Sequence, residues 1–176
     1  MSAESVWRPV FFDPSQIEEL SRLRSEGGVR TVHDTLRDQL LGLMEARSPR
    51  LRELPAPERL RLFEADMSAH LDGRALDEYG AWVFYPWSGE LVHLLPEEEY
   101  LEVRLNRNLN KITAAERAQL ADFTIGVVGL SVGNAVALTL AQEGVGGHLK
   151  LADFDLLELG NMNRIRAGTH QLGLKK

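Results

Sequence analysis

At 176 residues the chain has room for one ordinary domain or two small ones, and its 44% hydrophobic and 26% charged content is that of a soluble globular protein. A net charge of −6 argues against nonspecific nucleic-acid binding, and the lack of cysteine excludes disulfides, thiolate metal sites and cysteine nucleophiles. No run approaches the roughly 18 apolar residues of a membrane helix, and MSAESVWRPVFFDP lacks the basic start and apolar core of a secretory signal, so a cytoplasmic protein with no membrane or nucleic-acid partner is expected.

In chain order, Asp13-Pro14 before QIEELSRLR reads as a capped helix, with Asp13 as N-cap and Pro14 at the first helical position. Gly27-Gly28 ends it. Val32, Leu36, Leu40, Leu41 and Leu43 recur near the helical period, which predicts an amphipathic helix from Thr31 to about Ala46. Pro55 and Pro57 mark a break, and a third helix is expected from Glu58 to about Leu71. Ala81–Tyr85 and Leu91–Leu95 flank PWSGE and predict a β-hairpin from their aromatic and β-branched content. Trp82, Phe84, Tyr85 and Trp87 read as core or interface residues, and Glu97-Glu98-Glu99 as a solvated acidic run. His33, His70 and His93 lack ligand-like spacing and read as surface or packing residues, so no metal site is expected. Residues 1–100 thus form a small helical and hairpin unit without a chemistry of its own. From Tyr100 a connector and helix lead into the next strand.

The last third carries the chemistry. Thr124–Val128 reads as a strand entering a Gly-rich turn, Gly129-Leu130-Ser131-Val132-Gly133, followed by a helix to about Glu143. A second strand, Leu149–Ala152, ends on Asp153. Strand, Gly turn, helix, strand and acid form the mononucleotide half of a Rossmann-type fold. Such a turn lets phosphate approach backbone N–H groups at a helix N-terminus, and Asp153 stands where a carboxylate accepts hydrogen bonds from ribose hydroxyls. Arg164, Arg166, Lys175 and Lys176 lie in residues 161–176 with no acid among them, a cluster suited to phosphates. The G-x-S-x-G spacing also matches the nucleophile elbow of α/β-hydrolases. Only His148 and His170 follow Ser131, and too little chain remains for the strands such a triad needs.

Asn161 falls eight positions after Asp153 and Arg164 eleven, in DFDLLELGNMNR, with GLKK closing the sequence. Here residues 101–176 resemble the ThiF/MoeB-like adenylyltransferases, relatives of ubiquitin-activating enzymes. The family pattern is a strand, a Gly turn, a D-x-D pair, N-x-x-R and a Gly-x-x-Lys. The resemblance implies an α/β, Rossmann-type nucleotide-binding domain that uses ATP and Mg2+. Gly129, Ser131, Gly133, Asp153, Asp155 and Asn161 would bind the nucleotide, and Asp153 would hold the ribose. Arg164 and Lys176 would meet the phosphates as catalytic residues. Arg104-Leu105-Asn106-Arg107 looks like the family's R-x-N-R segment, which gives Arg107 a role across a homodimer on the partner's ATP. The implied reaction is adenylation of a carboxylate, typically the C-terminal Gly of a ubiquitin-like sulfur carrier. The turn departs from the family's G-x-G-G-x-G by having Ser131 and one residue fewer.

Two other classes stay open: an NAD(P)-binding oxidoreductase half-domain, and a non-catalytic nucleotide-binding or dimerisation module. Two parallel strands and one helix leave apolar faces that later elements cover in complete domains. The sequence is therefore expected to be the N-terminal part of a longer protein, with an incomplete ThiF-type domain. The first hundred residues resemble the extension of larger ThiF-type proteins that carry a nitroreductase-like domain further on.

Overall fold

An aromatic-rich run and an aliphatic one meet at the turn before Gly89, whose positive φ of 70° suits glycine. Ser88 N and Gly89 N both donate to the Tyr85 carbonyl, so β3 (Ala81–Tyr85) folds back on β4 (Glu90–Leu94) in an antiparallel pair with Val83 opposite Val92. This computed structural model describes residues 8–176, and the chain divides into two compact units between Asn106 and Arg107. Half of the segment read for a secretory signal, residues 1–7, lies outside the described residues.

The first unit is built on a four-stranded sheet in the order β1-β3-β4-β2. Strand β1 (Val10–Phe12) adds to β3 antiparallel, and β2 (Thr31–Asp34) runs parallel to β4. The strand β2 corrects the expected helix start at Thr31. Arg30 N and Thr31 N donate to the Gly89 carbonyl and steer the chain along β4. Asp34 Oδ1 then accepts from Leu36 N at 3.3 Å, and helix α2 begins at Leu36 and runs to Arg47. The first helix opens with a single 3-10 turn, Pro14–Gln16, capped by Asp13, before α1 (Ile17–Ser25). Helix α3 spans Ala56–Leu71, two residues earlier than its sequence signal.

Strand alternation gives the sheet two apolar faces. Trp82, Phe84 and Leu91 pack with Phe12 and with Leu20 of α1. A larger cluster joins Leu36, Leu40 and Leu43 of α2 to Phe63 and Leu71 of α3 and to Leu95. Within this frame His93 is fully buried. Its ring stacks on Trp82 at 4.1 Å, and Nε2 donates to the Tyr79 carbonyl at 2.8 Å. Its Nδ1 lies 3.0 Å from Asp34 Oδ1, so one imidazole fastens β4 to the end of β2 and to the chain entering β3.

The acidic run Glu97–Glu99 is the first turn of helix α4 (Glu97–Leu105), where carboxylates suit the positive end of the helix dipole. Glu99 departs from the solvated reading. It turns inward, accepts from the Tyr79 hydroxyl at 2.7 Å and pairs with His70 Nε2 at 2.9 Å. Burial, and then the hydrogen bond to Glu99, push Tyr79 up to about 12.

A 3-10 turn, Asn106–Asn110, spans the division between the units, and helix α5 (Ala114–Ala121) follows, capped reciprocally by Thr113 and Glu116. Strands β5 (Thr124–Val128) and β6 (His148–Ala152) are parallel and joined by helix α6 (Gly133–Glu143), which forms a βαβ unit. Val127, Leu130 and Ala137 form its small core. Val128 and Phe154 remain exposed, at 86% and 93%.

His93→Ala should cost the first unit about 3 kcal/mol, through a cavity and two orphaned partners. All three tryptophans precede residue 107, so their fluorescence during urea unfolding reports this unit. A midpoint shift worth less than about 1 kcal/mol at unchanged m would show that the imidazole fastens nothing.

Candidate functional site

The Gly-rich turn is shaped by two glycines with different tasks. Gly129 has φ +84°, a left-handed conformation, and no atom lies within 4 Å of where a Cβ would stand. Its N–H donates to the Ala152 carbonyl at 2.8 Å, so the turn continues the β5–β6 pairing while its outer side stays open. At Gly133 a Cβ would meet Val127 Cγ1 at 2.7 Å. A side chain there would push α6 off β5, and glycine lets the helix start close against the strand. At the start of α6, Gly133 N already donates to Gly129 O and Ala135 N to Val132 O, each at 3.1 Å, while the positive end of the helix dipole suits anions.

Asp153, just past β6, spends its carboxylate on backbone. Oδ2 accepts from Leu130 N at 2.6 Å and Oδ1 from Asp155 N at 2.8 Å. The Asp155 N–H first, then the Leu130 N–H, hold its carboxyl below the usual carboxylate range. One side chain therefore ties the Gly turn to the loop after β6. The chain then returns antiparallel to that loop: Leu157 N donates to Leu174 O and Gly173 N to Leu157 O. This return brings Lys176 back to the turn. Its backbone N–H donates to Asp155 O at 3.1 Å. Its Nζ lies 2.9 Å from Asp155 Oδ2 and 3.3 Å from Ser131 Oγ, with the side chain only 5% exposed.

Ser131, Asp153, Asp155 and Lys176, spread over 45 positions, thus form one connected cluster beside Gly129 and Gly133. Asn161 takes part in none of these contacts and has a local structural task. Its Oδ1 accepts from Glu158 N at 3.0 Å and its carbonyl accepts from Arg164 N at 3.1 Å. Arg164 is exposed, with Nη1 donating to Gly160 O at 3.2 Å and Asn163 Oδ1 at 2.9 Å. Arg107, exposed on the 3-10 turn before α5, takes part in none of these hydrogen bonds.

Arg166, Lys175 and Lys176 line a cavity of about 180 Å³ with Leu130, Asn134 and Leu157. Asn134 Oδ1 is buried there without a hydrogen-bond partner. Sequence reading passed over Asn134, although it is the residue directly after the last glycine of the turn. Three cations around one small cavity suit phosphate oxygens. Among the described residues, no group of three or more His, Cys, Asp or Glu is arranged to hold a metal. No helix among them is long and apolar enough to cross a membrane.

Over 164 residues, 93% of this chain, the sequence is 39% identical to an uncharacterized protein of Mycobacterium tuberculosis, and that match covers 20% of the relative. A stretch of 59 residues, 33% of this chain, is 44% identical to ubiquitin-like modifier-activating enzyme 5 of Branchiostoma floridae, covering 14% of it. The same enzyme of Xenopus laevis is also 44% identical over 59 residues, 15% of its length. The chain thus spans 20% or less of the length of these relatives. No family model matches, and no solved structure matches. Part of the chain is therefore distantly related to ubiquitin-like modifier-activating enzymes.

A carboxyl held below its usual range contributes stability above its unfolded-state value, here 3.8, and loses it as pH falls through the folded value. Amide exchange at Leu130 and Asp155 should therefore accelerate, relative to β5, as pH drops below about 4. Asp153→Asn, which accepts through one oxygen only, should show that acceleration already at pH 6 and little further change. Wild-type protection that stays flat to pH 2.5 would contradict the tether.

Proposed function

We propose that the second unit binds the phosphates of ATP at the Gly129–Gly133 turn and belongs to an adenylyltransferase of the ThiF/MoeB type. The observation that carries this reading is the return of Lys176 to Ser131 beside the turn, with Arg166 and Lys175 on the adjoining cavity. Similarity to ubiquitin-like modifier-activating enzyme 5 supports the same class. The site as a whole is a Rossmann-type half, in which an anion meets a helix N-terminus and fixed cations.

In this reading the substrate is a carboxylate, the C-terminal Gly of a ubiquitin-like sulfur carrier in the family's usual case. Its oxygen attacks the α-phosphorus of ATP, and pyrophosphate leaves. Residues of this chain act by position and charge. Arg164 supplies a planar fork for phosphate oxygens and Lys176 a point charge, while Arg107 serves the partner's site in a homodimer. Gly129, Gly133 and the start of α6 cradle phosphate. Asp153 accepts from ribose hydroxyls with the lone pairs its backbone bonds leave free. Mg2+ would supply charge neutralisation at the phosphates, supported by few protein carboxylates. Asp153 and Asp155 are the carboxylates nearest the turn that fit such a supporting role.

Titration calorimetry should show Mg-ATP binding more tightly than NAD, and Arg164→Ala should weaken Mg-ATP about tenfold, the scale of one charged hydrogen bond. NAD binding equal to or tighter than Mg-ATP would assign the turn to an oxidoreductase half-domain. In a chain active in ATP–pyrophosphate exchange, mixing Arg107→Ala with Arg164→Ala should restore activity in heterodimers, which hold one intact site. ATP binding without exchange in the full-length protein would mark a non-catalytic module.

A further inference from the structure

Lys176 is the most enclosed cation of the cluster, and a charged ammonium with 5% of its side chain exposed needs partners. It has two. Asp155 Oδ2 at 2.9 Å supplies the countercharge, and Ser131 Oγ at 3.3 Å supplies a neutral acceptor from inside the turn. Asp155 also grips the same residue through its backbone, since the Lys176 N–H donates to the Asp155 carbonyl at 3.1 Å. Asp155 is itself placed by Asp153, whose Oδ1 accepts from the Asp155 N–H at 2.8 Å. The chain of contacts runs from the Leu130 amide through Asp153 and Asp155 to the Lys176 ammonium, and closes on Ser131 in the same turn.

An ammonium has three donors. Two are taken up by Asp155 and Ser131, and one remains for an incoming oxygen. We propose that Ser131 and Asp155 are positioning residues that hold the Lys176 ammonium at the Gly turn, so that its third N–H meets a phosphate oxygen that neither residue itself contacts. The capture of phosphate rests on the nucleotide-binding reading above, whereas the holding of Lys176 stands on the contacts alone. The proposal gives Asp155 a different task from nucleotide contact and gives Ser131 one beyond forming the turn. A serine at this place offers an acceptor to the lysine, which a glycine could not do.

The test is competitive acetylation of the chain with an N-hydroxysuccinimide ester, read by mass spectrometry as the rate at Lys176 relative to Lys111 and Lys150. Wild-type Lys176 should react more slowly than both. Asp155→Asn should accelerate it about fivefold, the scale of one partly exposed ion pair. Ser131→Ala should accelerate it by a smaller factor, and Ser131→Thr, which keeps the hydroxyl, should restore the wild-type rate. The Lys176 15Nζ signal, measured on the same variants, separates loss of these contacts from general loosening, because amide exchange in β5 and β6 should not change with it. Equal Lys176 rates in wild type, Asp155→Asn and Ser131→Ala would overturn the positioning role. Mg-tripolyphosphate and Mg-ATP should each slow Lys176 acetylation further in the wild type. A confirmed hold on Lys176 that neither compound alters would overturn the phosphate step, and with it the nucleotide reading of the turn.

Discussion

The second unit depends on how one carboxylate divides its oxygens. Asp153 leaves β6 with both oxygens engaged, one by the Leu130 amide of the Gly turn and one by the Asp155 amide of the next loop. Hydrogen bonds to an ionised acceptor are about twice as strong as neutral ones, and these two connect segments that backbone pairing alone leaves separate. Without them the turn would be held by Gly129 N on the Ala152 carbonyl and by the burial of Leu130. The loop after β6 would then be tied to it mainly through Lys176, which meets both Asp155 and Ser131. The same residue that a nucleotide reading assigns to the ribose is also what shapes the Gly turn.

Electrostatics at the site follow from this arrangement. The protein is acidic as a whole, at −6, yet Arg166, Lys175 and Lys176 line one cavity beside Leu130 of the turn. Such a cluster repels itself unless anions are interleaved, and Asp155 is the interleaved anion the structure shows for Lys176. Arg164 meets the carbonyl of Gly160 and the amide oxygen of Asn163, neutral acceptors that leave its charge uncompensated. The two cations therefore differ in their contacts: Lys176 shares its ammonium with Asp155, while Arg164 meets neutral acceptors.

What could be read from the sequence divides along the range of the forces involved. The hairpin β3–β4 and the unit β5–α6–β6 were legible because local signals agree: β-branched runs, glycines at turns, and a helix-forming run after Gly133. The strand Thr31–Asp34 was not. Val32, Leu36 and Leu40 fall on a helical period, and only the pairing of Thr31–Asp34 with Glu90–His93, some 59 positions away, makes the first four residues a strand. Glu99 was misread for a similar reason. Its neighbours Glu97 and Glu98 are exposed, and the partners that turn it inward, His70 and Tyr79, come from other elements. At the site, the identity of the charged residues was visible, but not which of them meet. Nothing local reveals that Lys176 lies against Ser131, or that Asn134, with its Oδ1 buried and unpartnered, lines the cavity beside it.

Ser131 is where sequence and structure bear most directly on each other. By pattern it is the position at which the turn departs from the adenylyltransferase form, shorter and with a hydroxyl in place of hydrogen. A departure of that kind would be expected to weaken a phosphate cradle, because a side chain stands where backbone should meet the ligand. The contacts give the hydroxyl another use. It faces the ammonium of Lys176, while Gly129 keeps the open side of the turn clear and Gly133 keeps α6 close to β5. The added side chain is thus occupied within the protein, and approach to the turn is governed by the two glycines that remain. A nucleophilic serine would need a base able to take its proton. Here its oxygen faces an ammonium that can only donate, an environment that favours an acceptor role and sets the hydrolase elbow apart from this turn.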